Sequence, residues 1–491
     1  MRLITTNKKG SALVYALIIM MAVTIILVSM LKYISSQLTF SFNRGEKEQS
    51  FQIAEAGIYW YRWYLAHEVS GRTAAQIKDF WQTGNPYGVN APYIVEYSDP
   101  EAGPVGEYKI EVQPPDVNST IVIVKSTGWT YKDPSVIRTI QVRFRRPSWS
   151  EYTVLANDVM RFGPGTQIFG KIHSNNGIRM DGTAYNVVSS AIGSYDDPDH
   201  NGNNEFAVHT HVNPPPGSGI NDTFRAAEAS PSTVANRADV FQAGRQFPVP
   251  AVDFNGVLSD LSFMKTESKI AGHGLYFDNS NYGRHIIFKN NGTMDVKKVT
   301  AYDADVFDKN GNMTRKGTYS ISTESSATSY TIPSGGIIFV EDNVWIEGTV
   351  KNKKVTVVAA DLLGGAKTSI YVGNNNLLYT YFDGRDIIGL IAQKDIEVIK
   401  NSLDNLTIDA ALLAQTGRVG RAYYSSINPI DHKSSITING SMATDLRYGF
   451  AYTDGTGYTN RILNFDNNLL YYPPPYFPTG TEYSIDLWEE L

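Results

Sequence analysis

The sequence predicts a mainly β protein joined to one long N-terminal α-helix: a helix plus a small antiparallel sheet, then a larger domain resembling a right-handed β-helix or solenoid. Three observations lead there. Nearly all the contiguous hydrophobicity sits before residue 32. The 491 residues include 30 Tyr, 21 Phe and 41 Gly, a composition that leans towards strands and turns. Past residue 90, apolar positions alternate with the period of a strand between Gly-, Pro- and Asn-rich punctuation. A length of roughly 150 residues per domain allows about three domains, enough for a sizeable core. Cysteine is absent, which excludes disulfides, thiolate metal sites and a catalytic thiol. The net charge of −6, from 43 Lys+Arg against 49 Asp+Glu, comes without a basic stripe, so nucleic acid is not an expected partner.

Residues 12–31 carry no charge, and only Tyr15, Thr24 and Ser29 among them are polar. As a helix this run reaches about 30 Å, the hydrocarbon thickness of a bilayer. Arg2, Lys8 and Lys9 precede it, so the positive-inside rule puts the N-terminus in the cytoplasm and the remainder outside. A cleaved secretory signal is the alternative, but the run exceeds a usual h-region and no small-x-small site follows it. Helical periodicity continues through Phe51, Ala54, Ile58, Tyr61 and Leu65. That stripe suits packing on the protein's own head, a role compatible with packing on a neighbouring helix. Gly57 lies inside it at a cost of about 1 kcal/mol relative to Ala, so close packing is expected there. A helix from Ser11 to about His67 would be roughly 85 Å long.

Two strings carry a family resemblance: Lys8-Lys9-Gly10 before Ser11-Ala12-Leu13-Val14, and Ala54-Glu55-Ala56-Gly57. Together they resemble type IV pilins and type II secretion pseudopilins, in particular the PilX- and GspK-like minor subunits. The resemblance covers residues 8 to about 66. It implies a leader over 1–10, cleavage after Gly10 by a prepilin peptidase, and a methylated mature N-terminus at Ser11. It further implies a membrane and assembly helix over 11–67, with Leu13, Tyr15, Phe51, Ala54, Glu55 and Ile58 meeting the bilayer or other pilins. Tyr15 occupies the fifth mature position, where major pilins carry a glutamate that pairs with a neighbour's amine. A lone carboxylate in lipid is expensive, and a subunit at a filament end has no need of it.

The exterior divides by pattern. Strand alternation at 93–97, 108–112, 120–124 and 137–144 predicts a four-stranded antiparallel unit over 68–147, matching the general plan of a pilin head. From 148 to 465, short β runs begin at Ile337, Val355, Ile387, Leu406 and Ile436, with polar insertions at 364–381 and 417–435. This spacing favours a solenoid with loops on some rungs over a β-sandwich or jelly roll. The pattern lapses over about 213–270, where short helices are expected at 225–243 and 258–270. The Pro- and Tyr-rich segment 466–491 reads as an extended tail over the core, capping an open edge.

Candidate chemistry is sparse. Asp197, Asp199 and Asn201 sit at positions one, three and five of a candidate calcium loop, with Gly202 at six and Glu205 at nine. Val208 stands where an EF-hand has glutamate, and a solvated acidic loop is the alternative. His209 and His211, near His200, fall on one side of a strand and suit zinc with a further ligand, or are surface histidines. Asp303 with Asp305, or Asp383 with Asp386, would be the acid pairs of a glycan-cleaving enzyme, although aspartates in turns explain them equally well. No nucleophile elbow, P-loop or H-E-x-x-H motif occurs, so an enzyme is not expected and calcium is the one cofactor suggested. Tyr423, Tyr424 and the aromatics of 448–452 are candidate adhesive contacts or core residues. The expected role is a minor pilin or pseudopilin component showing its head at the cell surface, for adhesion or tip assembly. Its expected partners are the bilayer, other pilins, the peptidase and a surface ligand or polysaccharide. The alternatives are a membrane-anchored adhesin outside any pilus and a membrane-tethered, polysaccharide-acting β-helix enzyme.

Overall fold

The computed structural model describes residues 9–101, 103–116, 119–200, 202, 204–221, 226–254, 258–365, 367–424 and 431–491. Residues 1–8 of the expected leader, Asn201 of the expected calcium loop and Arg225 of an expected helix lie outside them.

Helix α1 (Lys9–Val69) is continuous. Its stretch from Ala12 to Val69 is long and apolar enough to cross a membrane. Residues 12–45 are exposed throughout, and burial begins at Glu46. Within the apolar run the Thr24 hydroxyl donates to the Met20 carbonyl at 2.7 Å, so this polar side chain is satisfied inside the helix. Helix α2 (Ala74–Gln82) follows a capping box: the Thr73 hydroxyl accepts from the Gln76 N–H, and the Gln76 side chain accepts from the Thr73 N–H.

Four antiparallel strands come next, β1 (Tyr93–Asp99), β2 (Gly103–Gln113), β3 (Ile121–Thr130) and β4 (Ile137–Arg145), at the places the alternation predicts. The C-terminal half of α1 packs on this sheet. Ile53, Ala54, Ile58, Tyr61 and Leu65 share a buried cluster with Ile110, Val122, Val124, Ile140, Val142 and Phe144. Gly57 is small for a reason that can be measured: a Cβ there would lie 2.3 Å from Ser126 Oγ and 2.9 Å from the Tyr108 ring. Gly128 on β3 does the same from the other side, since its Cβ would lie 2.4 Å from both the Ala54 nitrogen and the Ser50 carbonyl.

Most of the remaining strands form parallel ladders, with antiparallel pairs such as Arg284–Phe288 with Thr293–Tyr302 beside them. One ladder stacks Gly274–Phe277, Ile337–Val340, Lys354–Ala359, Ile387–Ala392, Asn405–Ala414, His432–Thr444, Val154–Ala156, Ile172–Ser174, Val188–Ser190 and Arg245–Gln246, each parallel to the next. Its spatial order is not its chain order, because the last rungs built (His432–Thr444) lie against the first (Val154–Ala156). A second ladder repeats this, with Gly457–Phe465 parallel to Thr166–Phe169. The chain thus enters mid-stack, builds to one end at Arg245–Gln246 and restarts at the other end at Gly274–Phe277. The patterned lapse near 213–270 contains that crossover. It holds a 3-10 turn at Ala226–Glu228, shorter than the helix expected over 225–243, and then α3 (Leu258–Ser268).

Side chains in register form apolar columns. Ile338, Val357, Leu390, Leu412, Met442, Val154, Ile172 and Val188 are successive partners, and all belong to the main core. The opposite face of this ladder is buried too, where Phe339, Val358, Ile391, Leu413 and Ala443 pack with Leu261 and Met264 of α3 and with Leu469 and Phe477. Burial on both faces explains runs such as Ile387–Ala392 with no polar alternation. Two expectations need correction. The segments 364–381 and 417–435 are more than polar insertions, since Ile370–Val372, Leu377–Tyr379 and Val419–Arg421 are ladder strands. The tail also ends in a strand, Ser484–Glu490, which pairs antiparallel with β4 and becomes the fifth strand of the first sheet.

Candidate functional site

The membrane and assembly residues separate into two environments. Leu13 and Tyr15 are exposed on the bare half of α1. Ala54 and Ile58 are fully buried on the chain's own sheet, while Phe51 and Glu55 are half-buried. The stripe that reads equally as core or as assembly surface is therefore engaged within the chain at Ala54 and Ile58, because β3 passes directly beneath it. Gly10 and Ser11 both lie within α1.

The acidic loop and the histidines come together. Ser194–Tyr195 pairs antiparallel with Glu205–Phe206, a hairpin that sets Glu205 opposite Tyr195 and brings Asp197 back over it. Val208–His209 runs parallel to Ile178–Arg179, and His211 follows two residues on with the same facing. Asp197, Glu205, His209 and His211 are buried, at 2%, 0%, 0% and 0% exposure, and one ligand atom from each lies within 4.8 Å of all the others. Glu205 is met by His211 Nε2 at 2.8 Å, His209 Nε2 at 3.3 Å and His200 Nε2 at 3.3 Å. His209 Nε2 also lies 3.6 Å from Asp197 Oδ2. The Tyr195 ring covers His209 at 5.5 Å, and Gly177 makes room for it, since a Cβ there would lie 2.2 Å from that ring.

Neighbouring groups hold these side chains in place. His209 Nδ1 is 3.2 Å from the Phe206 carbonyl, which can only accept. The Asp181 carboxylate accepts the His211 N–H at 3.0 Å and the Arg179 guanidinium at 2.7 Å, and Arg179 reaches Asp197 at 3.5 Å. Burial alone would raise the Asp197 carboxyl. The adjacent His209 ring, the Asp199 N–H and the Arg179 charge hold it well below the usual carboxylate range.

The expected calcium loop is not assembled as its linear spacing suggests. Asp197 and Glu205 turn inward, whereas Asp199 turns outward to Arg161 and Arg447. The surface reading of His209 and His211 is overturned by their burial. The aspartates considered for glycan chemistry hold turns. Asp303 accepts from Arg315 and Thr318, Asp305 from Gly317 and Tyr319, Asp383 pairs with Arg385, and Asp386 accepts the Thr380 and Tyr381 N–H groups. Tyr423 is exposed, while Tyr424 and Tyr448 are buried.

The sequence reading missed another histidine–carboxylate group, in which His285 lies 2.8 Å from Glu324 and 3.4 Å from Glu347. Its partners are 39 and 62 residues downstream, so no local spacing signals it. Burial lowers the His285 ring, and the two carboxylates more than offset this and raise it. Lys297 and Asn375 take up the same carboxylates, making this an ion-pair network.

No family model matches the chain, and no curated protein matches it. Among solved structures, the competence-associated pilin ComZ from Thermus thermophilus is similar over 91% of this chain and 98% of its own, at 12% identity and a TM-score of 0.31.

Proposed function

We propose that this chain is a membrane-anchored, pilin-like structural subunit that presents a β-rich head outside the membrane. One observation carries the reading: a single helix is bare over residues 12–45 and then becomes the spine of an antiparallel sheet. Leaving so much apolar surface uncovered is costly in water, at about 25 cal/mol per Å², and costs nothing once lipid and neighbouring helices cover it. In this reading residues 1–10 are a leader, 11–67 the anchor and assembly helix, 68–147 the sheet unit, 148–465 a β-solenoid head and 466–491 the closing tail. Prepilin peptidase frees Ser11. Tyr15, lacking a carboxylate, suits a PilX- or GspK-like minor subunit at a filament tip, where the head's bulk is tolerated and is free to meet a surface ligand.

The mature N-terminus tests this. Peptide mapping of protein recovered from membranes should find Ser11 first, and Gly10→Val should leave the leader attached. An N-terminus at Met1 with a stable membrane-bound protein would instead support an anchored adhesin outside any pilus. Even labelling along isolated filaments, or none on them, would count against the tip position.

A further inference from the structure

We propose that Asp197, Glu205, His209 and His211 form a structural zinc site inside the β-rich head. Donor chemistry supports it first. Two imidazoles with two carboxylates suit zinc, whereas calcium takes six to eight oxygens at longer distances.

Geometry supports it next. Tetrahedral zinc with ligand bonds near 2.05 Å requires neighbouring donors to be about 3.3 Å apart. His209 Nε2 lies 3.3 Å from Glu205 Oε2 and 3.6 Å from Asp197 Oδ2, near that spacing, and one donor atom from each of the four residues lies within 4.8 Å of all the others.

The third support is the orientation of the His209 ring. Its Nδ1 faces the Phe206 carbonyl, so Nδ1 carries the proton of that contact and Nε2 is the nitrogen left to meet a metal. That nitrogen faces Glu205 Oε2 and Asp197 Oδ2. Among the described residues neither His209 Nε2 nor Glu205 Oε2 has a hydrogen-bond partner, although both residues are fully buried. Buried donor atoms that converge in this way without a hydrogen bond are groups that a dication would satisfy. The Asp181 carboxylate, bonded to the His211 backbone N–H and to Arg179, fixes the chain segment that carries His211.

The centre is closed, with Tyr195 over it, and this makes it structural. It clamps the hairpin of Ser194–Tyr195 and Glu205–Phe206 to Val208–His209, where the chain leaves the regular ladders. In a chain without cysteine, such a clamp does the work a disulfide would do.

The test uses the full chain in detergent, without a polyhistidine tag, stripped by chelator and titrated with Zn²⁺ against a chromophoric chelator. One zinc per chain and a melting temperature raised by several degrees are expected. Co²⁺ should give the visible absorption of a four-coordinate site and be displaced by Zn²⁺. Glu205→Gln, and His209→Gln combined with His211→Gln, should each weaken zinc binding by at least about a hundredfold. Asp199→Asn, whose carboxylate turns outward, should retain stoichiometric zinc. The cobalt spectrum of the unaltered chain keeps the test decisive if a ligand variant misfolds. A folded chain that takes up no zinc would overturn the proposal, showing the cluster to be held by protons alone. Preferential binding of Ca²⁺, or ligand variants that keep one zinc, would also overturn it.

Discussion

Glu397 shows how much one side chain can be asked to tolerate. It is 5% exposed, its Oε1 has no hydrogen-bond partner among the described residues, and the Arg418 guanidinium lies 3.8 Å from its other oxygen. Burial outweighs the attraction of Arg418, and with Asp395 nearby the carboxyl is pushed from 4.5 up to about 7. The sign follows from proton counting. Between pH 4.5 and about 7 the unfolded chain has released this proton and the folded chain still holds it, so stability falls as pH rises, by on the order of 3 kcal/mol across the window. Glu397→Gln should abolish that fall, leaving the variant the more stable form above pH 7. Urea denaturation across that range measures the difference directly, and parallel profiles for the two proteins would refute it.

At the scale of elements, the contact between α1 and β3 depends on Gly128. A methyl group there meets backbone atoms of Ser50 and Ala54, which cannot rotate aside. Gly128→Ala should therefore cost about 2–3 kcal/mol, read as a lowered urea midpoint with an unchanged slope. The C-terminal strand is the sheet's other dependency. Its Asp486 pairs with Arg143 at 2.8 Å, Glu490 pairs with Arg138, and Trp488 meets Phe51 of α1 edge-on. Truncation after Gly480 should uncover the β4 edge and promote self-association, seen as larger species in light scattering of the detergent-solubilised chain. These elements also mark the limit of what the sequence discloses. Strands β1 to β4 are legible because each turns one face inward, fully buried in β2 to β4 and half-buried in β1, and alternates visibly. The segment Ser484–Glu490 is half-exposed and acidic, and it reads as a strand only once the β4 arginines, some 340 residues away, are placed beside it. The histidine spacing at 209 and 211 was legible for the same local reason as β1 to β4. Its union with Asp197 was not, because a hairpin has to fold first. Asp199, apparently part of the same oxygen series, is drawn outward by Arg447 from 248 residues downstream.

At the scale of the whole molecule, the permuted stacking order makes a demand on folding. Val154–Ala156 receives one neighbour, Ile172–Ser174, soon after it in sequence, and the other, His432–Thr444, only near the end of the chain. The early rungs therefore present an open ladder edge until the last ones arrive, and pairing at such separation is slow because loop closure precedes any reward. Once closed, both halves share one apolar column, so they should open as a single cooperative unit. Leu412, fully buried in that column, provides the probe. Leu412→Ala should cost about 2–5 kcal/mol through lost burial and the cavity it leaves. Native-state hydrogen exchange should show the same loss of protection at the distant amides of Val154–Ala156 and Ile172–Ser174 as at Ile387–Ala392. If the early rungs kept their protection while the later ones lost it, the stack would be two separately stable halves, and its permuted order would have no energetic consequence.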